Sequence, residues 1–143
     1  MHRITPILLA ALLAATAALA HSGVKDPQVK ARMEGMGVLG AQTKIVSQMA
    51  KGTAPFDAAK ARTAIELMQA ETQRVPALFE AEADDPKSEA KPAIWTDWAA
   101  FTARTDALSN ALDAADVTSP DALNATLRKI GTTCGGCHQQ FRE

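Results

Sequence analysis

The chain has 143 residues, with 15 basic and 16 acidic side chains and a formal net charge of −1. This length allows one compact domain, and the balanced charge excludes the basic field that binding to nucleic acid requires. The chain has two cysteines, no tyrosine, few aromatic residues and almost no β-branched alternation. Such a composition is typical of a helical protein.

Residues 1–20 have the features of a secretory signal peptide. His2 and Arg3 form a short basic start, an apolar run follows, and residues 18–20 (Ala-Leu-Ala) form a small-residue cleavage site. An uncleaved membrane anchor is the less favoured alternative, because Pro6 interrupts an apolar run of marginal length. We therefore expect export to the periplasm and removal of this segment.

The mature chain, residues 21–143, is predicted to be a single helical domain without a membrane span. The first helix begins at Asp26-Pro27, an acidic cap followed by proline, and can run to Gly52. The second begins around Asp57, and Pro76 is expected to bend or end it. An acidic segment, residues 80–85, should then form a solvated loop.

Two further helices carry the clearest apolar periodicity, one from Pro92 onward and one after Ser119-Pro120. In each, apolar residues recur at alternating steps of four and three. The first series is Ile94, Trp98, Phe101, Thr105, Leu108, Leu112 and Ala115; the second is Leu123, Leu127, Ile130, Cys134, Cys137 and Phe141. Four helices with short connections favour an all-α, antiparallel up-down-up-down four-helix bundle. The C-terminal residues should then lie level with the early turns of the first helix.

The sequence Cys134-Gly135-Gly136-Cys137-His138 is the attachment pattern of c-type haem. Each thiol can add across one vinyl group of the porphyrin, and the adjacent imidazole is then held over the iron. On a helix, Cys134, Cys137 and His138 lie close enough on one face to reach a single flat ligand. The pattern predicts one covalent haem c per chain, with Cys134 and Cys137 as anchors and His138 as the proximal iron ligand.

Other uses of the two thiols are less favoured. A thioredoxin-like redox pair would need a βαβ context, which the flanking sequence lacks. A structural zinc site needs four protein ligands, and only His2 and His21 remain as further histidines. A disulfide between residues this close would be strained. Export also suits haem, since c-type haem is attached on the outer side of the bacterial inner membrane.

The second axial ligand should come from the early turns of the first helix, where Met33 and Met36 share one face. Gly35, Gly37 and Gly40 crowd around them, although each costs about 1 kcal/mol relative to alanine in a helix interior. A glycine-lined face would let a large flat group approach the backbone. In the alternative, Met36 fills the core and the glycines allow close helix packing. Spacing alone leaves both interpretations open.

The mature chain resembles the cytochrome c-prime family, in particular its low-spin branch with a methionine sixth ligand. The resemblance rests on Arg32 four residues before Met36, Lys51-Gly52 followed by residues 55–57, Ile94-Trp95, and residues 134–142 at the end. It implies that Met36 is the distal iron ligand. Many high-spin members carry a residue at that position that does not bind the iron. Family members often form homodimers through their first two helices.

The resemblance also suggests roles for two arginines near the haem. Arg142, four residues after His138, should lie on the proximal side, with a solvated cation at the helix end as the alternative. Arg32 should contact a propionate or line the haem edge, with an exposed helix arginine as the alternative. The remaining large apolar residues of interest are interpreted as core: Met33, Met49, Met68, Trp98 and Phe101.

These observations predict a periplasmic monohaem cytochrome that passes single electrons to redox protein partners. Histidine–methionine ligation stabilises ferrous iron and raises the reduction potential. The main alternative is a five-coordinate protein that binds NO or CO, which would follow if Met36 were detached. A third is a haem-free bundle with an accessory thiol pair. No acid/base or nucleophile arrangement appears, so enzymatic activity is not predicted.

Overall fold

A computed structural model describes residues 23–143, and the signal-peptide prediction lies outside them. The helices in this part are α1 (Pro27–Ala50), α2 (Ala58–Phe79), α3 (Ala93–Thr96), α4 (Trp98–Asp113) and α5 (Pro120–Phe141). Helices α1 and α4 each pack against both α2 and α5. The four long helices therefore form a four-helix bundle, as predicted.

Contacts at the two ends of α1 fix its direction relative to its neighbours. Gln28 Nε2 donates to the carbonyl of Leu78 at 2.6 Å, so the start of α1 meets the end of α2. Asn124 Nδ2 donates to the carbonyl of Ala50 at 2.9 Å, so the end of α1 meets the start of α5. Helix α1 is thus antiparallel to both neighbours, and the C-terminal part of α5 lies level with the early turns of α1.

The helix starts follow the capping chemistry that the sequence predicts. The side chain of Asp26 accepts hydrogen bonds from the N–H groups of Gln28 (2.8 Å) and Val29 (2.9 Å). The side chain of Ser119 accepts one from Ala122 N–H at 3.1 Å. In both cases proline follows at the first helical position, where its missing N–H needs no partner. These two boundaries are confirmed.

The structure refines the predicted helices at two points. Helix α2 continues through Pro76 to Phe79, so of the two expected effects of this proline, bending or ending the helix, the second does not occur. The predicted third helix is interrupted at Asp97, whose backbone (φ −132°, ψ 59°) is not helical. The Asp97 side chain accepts from Ala100 N–H at 3.2 Å and caps α4 as a separate helix. A periodic apolar pattern runs across this break and therefore conceals it.

The acidic segment after α2 is not wholly solvated, because Asp85 is only 6% exposed. Its carboxylate accepts hydrogen bonds from the N–H groups of Lys25 (2.8 Å), Asp26 (3.1 Å) and Lys87 (2.9 Å). The chain before α1 presents N–H groups that need an acceptor once they are buried, and Asp85 supplies it. These bonds, the one from Lys87 first, lower the pKa of Asp85.

A lowered carboxyl pKa makes part of the stability dependent on pH. The contribution of Asp85 is present above its ordinary pKa of 3.8 and is lost as pH falls through the lowered value. We expect Asp85→Asn to melt at a lower temperature than the wild type at pH 7, with a difference that shrinks toward pH 3. Thermal unfolding of the haem-loaded proteins at pH 7, 5 and 3 measures this. Asp84→Asn, at the neighbouring position, is the control. If Asp85→Asn lowered the melting temperature by the same amount at all three pH values, the pH-dependent contribution assigned to Asp85 would be contradicted.

Aromatic rings fill the end of the bundle that contains the C-terminus. The Phe101 ring lies 5.1 Å from that of Phe79, 5.4 Å from Trp98 and 5.4 Å from Phe141. Phe101 is buried and Trp98 half-buried, in agreement with their interpretation as core. Within residues 23–143, no helix is long and apolar enough to cross a membrane.

Candidate functional site

A cavity of about 580 Å³ lies inside the bundle, between the early turns of α1 and the last turns of α5. All four long helices and the segment 87–90 contribute to its wall. Much of that wall is apolar, with Val29, Ile94, Phe101 and Leu108 among the lining residues. The volume is within the range of about 300–1,000 Å³ that is usual for ligand and cofactor pockets.

Cys134 and Cys137 line this cavity from α5, and both are free and half-buried. Burial raises the pKa of each thiol; at Cys137 the neighbouring Cys134 adds to the rise and Arg104 opposes it. A reactive redox cysteine needs the opposite, a lowered pKa that yields the thiolate. The environment of these thiols therefore disfavours the haem-free redox pair.

His138 lines the same cavity, directly after Cys137. The residue keeps an exposed surface, but partial burial of its imidazole lowers its pKa. The positive charge of Arg142 lowers this pKa further, against the opposing effect of Glu89. The neutral imidazole, which is the form that binds metal ions, is therefore favoured at neutral pH.

Helix α1 presents Met33 and Met36 to the cavity, together with Gly37 and Gly40. A Cβ atom added at Gly37 or Gly40 would meet no neighbouring atom within 4 Å, so these two glycines leave open space beside Met36. Gly35 does not line the cavity. The predicted glycine face therefore consists of two residues, and the third glycine belongs to helix packing. Met33, interpreted from the sequence as core, is half-buried and lies at the cavity wall.

Arg32 is 3% exposed, which rules out the alternative of an exposed helix arginine. The residue lines the cavity, but its N–H groups point to backbone oxygens. Nε donates to the carbonyl of Leu78 at 2.9 Å, Nη1 to that of Ala83 at 3.0 Å and Nη2 to that of Ala81. The guanidinium thus satisfies carbonyl groups at the C-terminal end of α2 and just beyond it.

Arg142 lies at the cavity edge, next to the last turn of α5. Its side chain is 51% exposed, and Nε donates to Glu89 Oε2 at 2.6 Å. An isolated backbone bridge between Ala90 and Arg142 joins the same two segments. Arg142 is therefore close enough to His138 to affect its pKa, while it remains partly solvated.

The sequence did not indicate two other parts of the wall. Arg104, on α4, donates from Nη2 to Gln140 Oε1 at 3.3 Å, and its Nη1 lies 3.3 Å from where a Cβ of Gly136 would be. The only local feature of the sequence that could have placed Arg104 at the cavity is its position three residues after Phe101, beside the apolar series of α4. The segment 87–90 belongs to a loop, and no periodicity could have placed it at the cavity.

The donor groups at this cavity fit a c-type haem. Two thiols, an imidazole and two thioethers converge from α1 and α5 on one cavity with a largely apolar wall. The spacing of Cys134 and Cys137 suits two thioether bonds, and His138 and Met36 are residue types that bind haem iron. Open space beside Gly37 and Gly40 lets a flat group approach the backbone of α1.

Comparison with known proteins identifies the family. The family model described as Cytochrome C' matches residues 27–142. Cytochrome c' of Rubrivivax gelatinosus is 39% identical over 103 residues, which are 68% of this chain and 80% of the relative. A structural model of oxidised cytochrome c556 from R. palustris superimposes with a TM-score of 0.75 at 27% identity and covers 83% of this chain and 98% of that one. A nitric oxide complex of a cytochrome c prime variant from Alcaligenes xylosoxidans superimposes with a TM-score of 0.72 at 27% identity, and the match covers 81% of this chain and 94% of that one. The chain therefore belongs to the cytochrome c' family, whose members carry one covalently attached c-type haem.

Proposed function

We propose that the mature protein is a periplasmic electron carrier, with its haem attached through Cys134 and Cys137 and its iron between His138 and Met36. The observation that carries this proposal is the single cavity, which brings Met36 of α1 together with all three residues of the α5 motif. When bound, haem supplies a one-electron ferric/ferrous couple.

The residues around the cavity favour the ferrous state. The thioether of Met36 and the neutral imidazole of His138 add no negative charge to the iron, and methionine ligation raises the reduction potential. Apolar side chains in the wall, such as Ile94 and Phe101, reduce the contact of a bound haem with water and so disfavour the more highly charged ferric form. The protein should therefore accept an electron readily.

The scaffold also suits repeated electron transfer. Both axial residues lie on helices of more than 20 residues, and these helices pack against each other in the bundle. Residues on rigid elements keep their geometry better than residues on loops. If His138 and Met36 both bound the iron, their positions on α5 and α1 would limit structural change between the two oxidation states.

Gas binding is the second candidate function. Gly37 and Gly40 leave open space beside Met36, so a displaced thioether or a small ligand has room there. The structural relative from Alcaligenes xylosoxidans is a nitric oxide complex. NO or CO binding would become the main function if the bond between Met36 and iron were weak or absent.

Visible absorption of the oxidised and reduced protein separates the two functions. We expect a low-spin, six-coordinate spectrum with a thioether-to-iron band at the red end. Met36→Ala should lose that band completely and become high-spin. Met33→Ala is the matched control, since Met33 lines the same cavity one turn away and should keep the band.

Each other outcome assigns the site differently. A high-spin wild-type spectrum, unchanged by Met36→Ala, would remove Met36 from the iron and place gas binding first. Loss of the band in Met33→Ala but not in Met36→Ala would make Met33 the ligand.

A further inference from the structure

Gly35 lies at a point of very close approach between α1 and α2. A Cβ atom at this position would be 2.6 Å from Glu71 Oε1 and 3.0 Å from Leu78 Cδ1. Ordinary van der Waals contact begins near 3.4 Å, so an added methyl group would require a movement of about 0.8 Å. With the side chains of Glu71 and Leu78 in these positions, only the hydrogen of glycine fits between α1 and α2 at this point.

Glu71 is an unusual partner for a glycine. The residue is 6% exposed; its Oε2 accepts from Arg74 Nη1 at 2.8 Å, whereas Oε1 is buried and has no hydrogen-bond partner among the described residues. An unpaired buried acceptor is costly to stability. This oxygen instead lies next to Gly35, so the carboxylate fills the space between α1 and α2 at this point.

The turn before Gly35 is fixed to the same part of α2. The carbonyl of Leu78 accepts hydrogen bonds from Gln28 Nε2 at 2.6 Å and from Arg32 Nε at 2.9 Å. The side chain of Leu78 also covers Gly35. Residues 28, 32 and 35 are therefore all docked on α2, immediately before Met36.

We propose that Gly35 and Glu71 form a complementary pair that positions Met36 for the iron. This inference rests on the proposed function, in which Met36 is the distal ligand. Met36 follows Gly35 on the same turn, so a shift of α1 away from α2 moves its thioether as well. Functional groups need to be held within about 0.5 Å of their productive geometry. If the carboxylate of Glu71, which is buried and bonded to Arg74, stays in place, α1 takes up the movement of about 0.8 Å, which exceeds that tolerance.

The pair can be tested with two single variants and their combination, all loaded with haem. Gly35→Ala adds a methyl group against the carboxylate, and Glu71→Ala removes that carboxylate and leaves a gap. Each should lose at least half of the thioether-to-iron band and lower the reduction potential. The double variant should regain most of the band intensity and of the reduction potential, because the new methyl group occupies the space that the carboxylate left.

Gly131→Ala is the matched control. Gly131 also lies within a long helix, a Cβ there would meet nothing within 4 Å, and the residue does not line the cavity. This variant should keep the wild-type band and potential. It thereby separates a general effect of replacing a helix glycine from the effect of the contact with Glu71.

The outcomes are distinct for the two proposals. A wild type without the band would overturn the proposed function, and this inference with it. A wild type with the band, together with an unchanged band in both single variants, would overturn only the pairing, because Glu71 would then have turned away without moving α1. Losses in the double variant that equal the sum of the single losses would also overturn it. If Gly35→Ala fails to fold, Glu71→Ala decides alone, since it introduces no clash.

Discussion

A protein in which both Cys134 and Cys137 are replaced by serine is expected to carry no covalently attached haem. The chain has two cysteines, so no other thiol can form a thioether bond. A bound cofactor stabilises the folded state that holds it, and its loss leaves a cavity of about 580 Å³ in the bundle. The double variant should therefore also unfold at a lower temperature than the wild type.

The mass of the purified, unfolded protein measures this directly. The wild type should have the mass of residues 21–143 plus one haem, which also tests cleavage after Ala20. Each single variant should retain at most one thioether bond. Thr133→Ala is the control, because Thr133 precedes Cys134 and lines the same cavity. Haem that survives unfolding in the double variant would show that the attachment site is elsewhere.

Arg32→Ala is expected to lower the free energy of unfolding by about 2–4 kcal/mol. The variant removes three hydrogen bonds to backbone carbonyls, of Leu78, Ala81 and Ala83. It also removes the contacts of the guanidinium with two aromatic rings, Phe79 at 5.0 Å and Trp95 at 5.1 Å from their centroids. The carbonyl groups at the end of α2 would lose their partner, and the loop that leads to the cavity would lose its anchor.

Urea unfolding of the haem-loaded protein gives the size of this effect. Arg32→Lys should lie between the wild type and Arg32→Ala in free energy of unfolding, because one ammonium group does not reproduce the planar, widely spaced donors of the guanidinium. The control is Arg62→Ala on α2, where the side chain is exposed and the loss should be below about 0.5 kcal/mol. If Arg32→Ala lowered the free energy of unfolding by no more than the control Arg62→Ala does, the buried contacts of Arg32 would contribute little to stability.

Local chemistry in the sequence was sufficient for much of the fold and for half of the site. Capping by Asp26 and Ser119 involves neighbours two or three residues away, so it can be read directly from the sequence. The motif at Cys134, Cys137 and His138 can be read in the same way, because these residues lie within about one helical turn and can reach the same flat ligand. The direction of α1 relative to α5 followed from the number of helices and their short connections.

The features that were missed depend on partners far away in the chain. Arg32 contacts carbonyls 46 to 51 residues later, and Asp85 accepts from N–H groups about 60 residues earlier. Gly35 and Gly37 look alike in the sequence, yet one is packed against Glu71 and the other faces open space. Only the packing of α1 against α2 distinguishes the two glycines, and the periodicity of the sequence does not reveal that packing.

The strength of the bond between Met36 and iron separates electron transfer from gas binding. Both proposed functions use the same cavity, with Cys134 and Cys137 as the proposed anchors and His138 as the proposed proximal ligand. The open space beside Gly37 and Gly40 suits either a bound thioether or an added ligand. If Gly35 and Glu71 hold α1 in place, they favour the bound thioether. The positioning of α1 therefore bears on function as well as on stability.

An experimental structure of the oxidised, haem-loaded protein tests the central claim most directly, through the distance between the iron and Met36 Sδ. The account predicts that this sulfur lies within bonding distance of the iron, on the face opposite His138. An iron bound only by His138, with the Met36 thioether turned away from it, would contradict the account and favour a gas-binding protein.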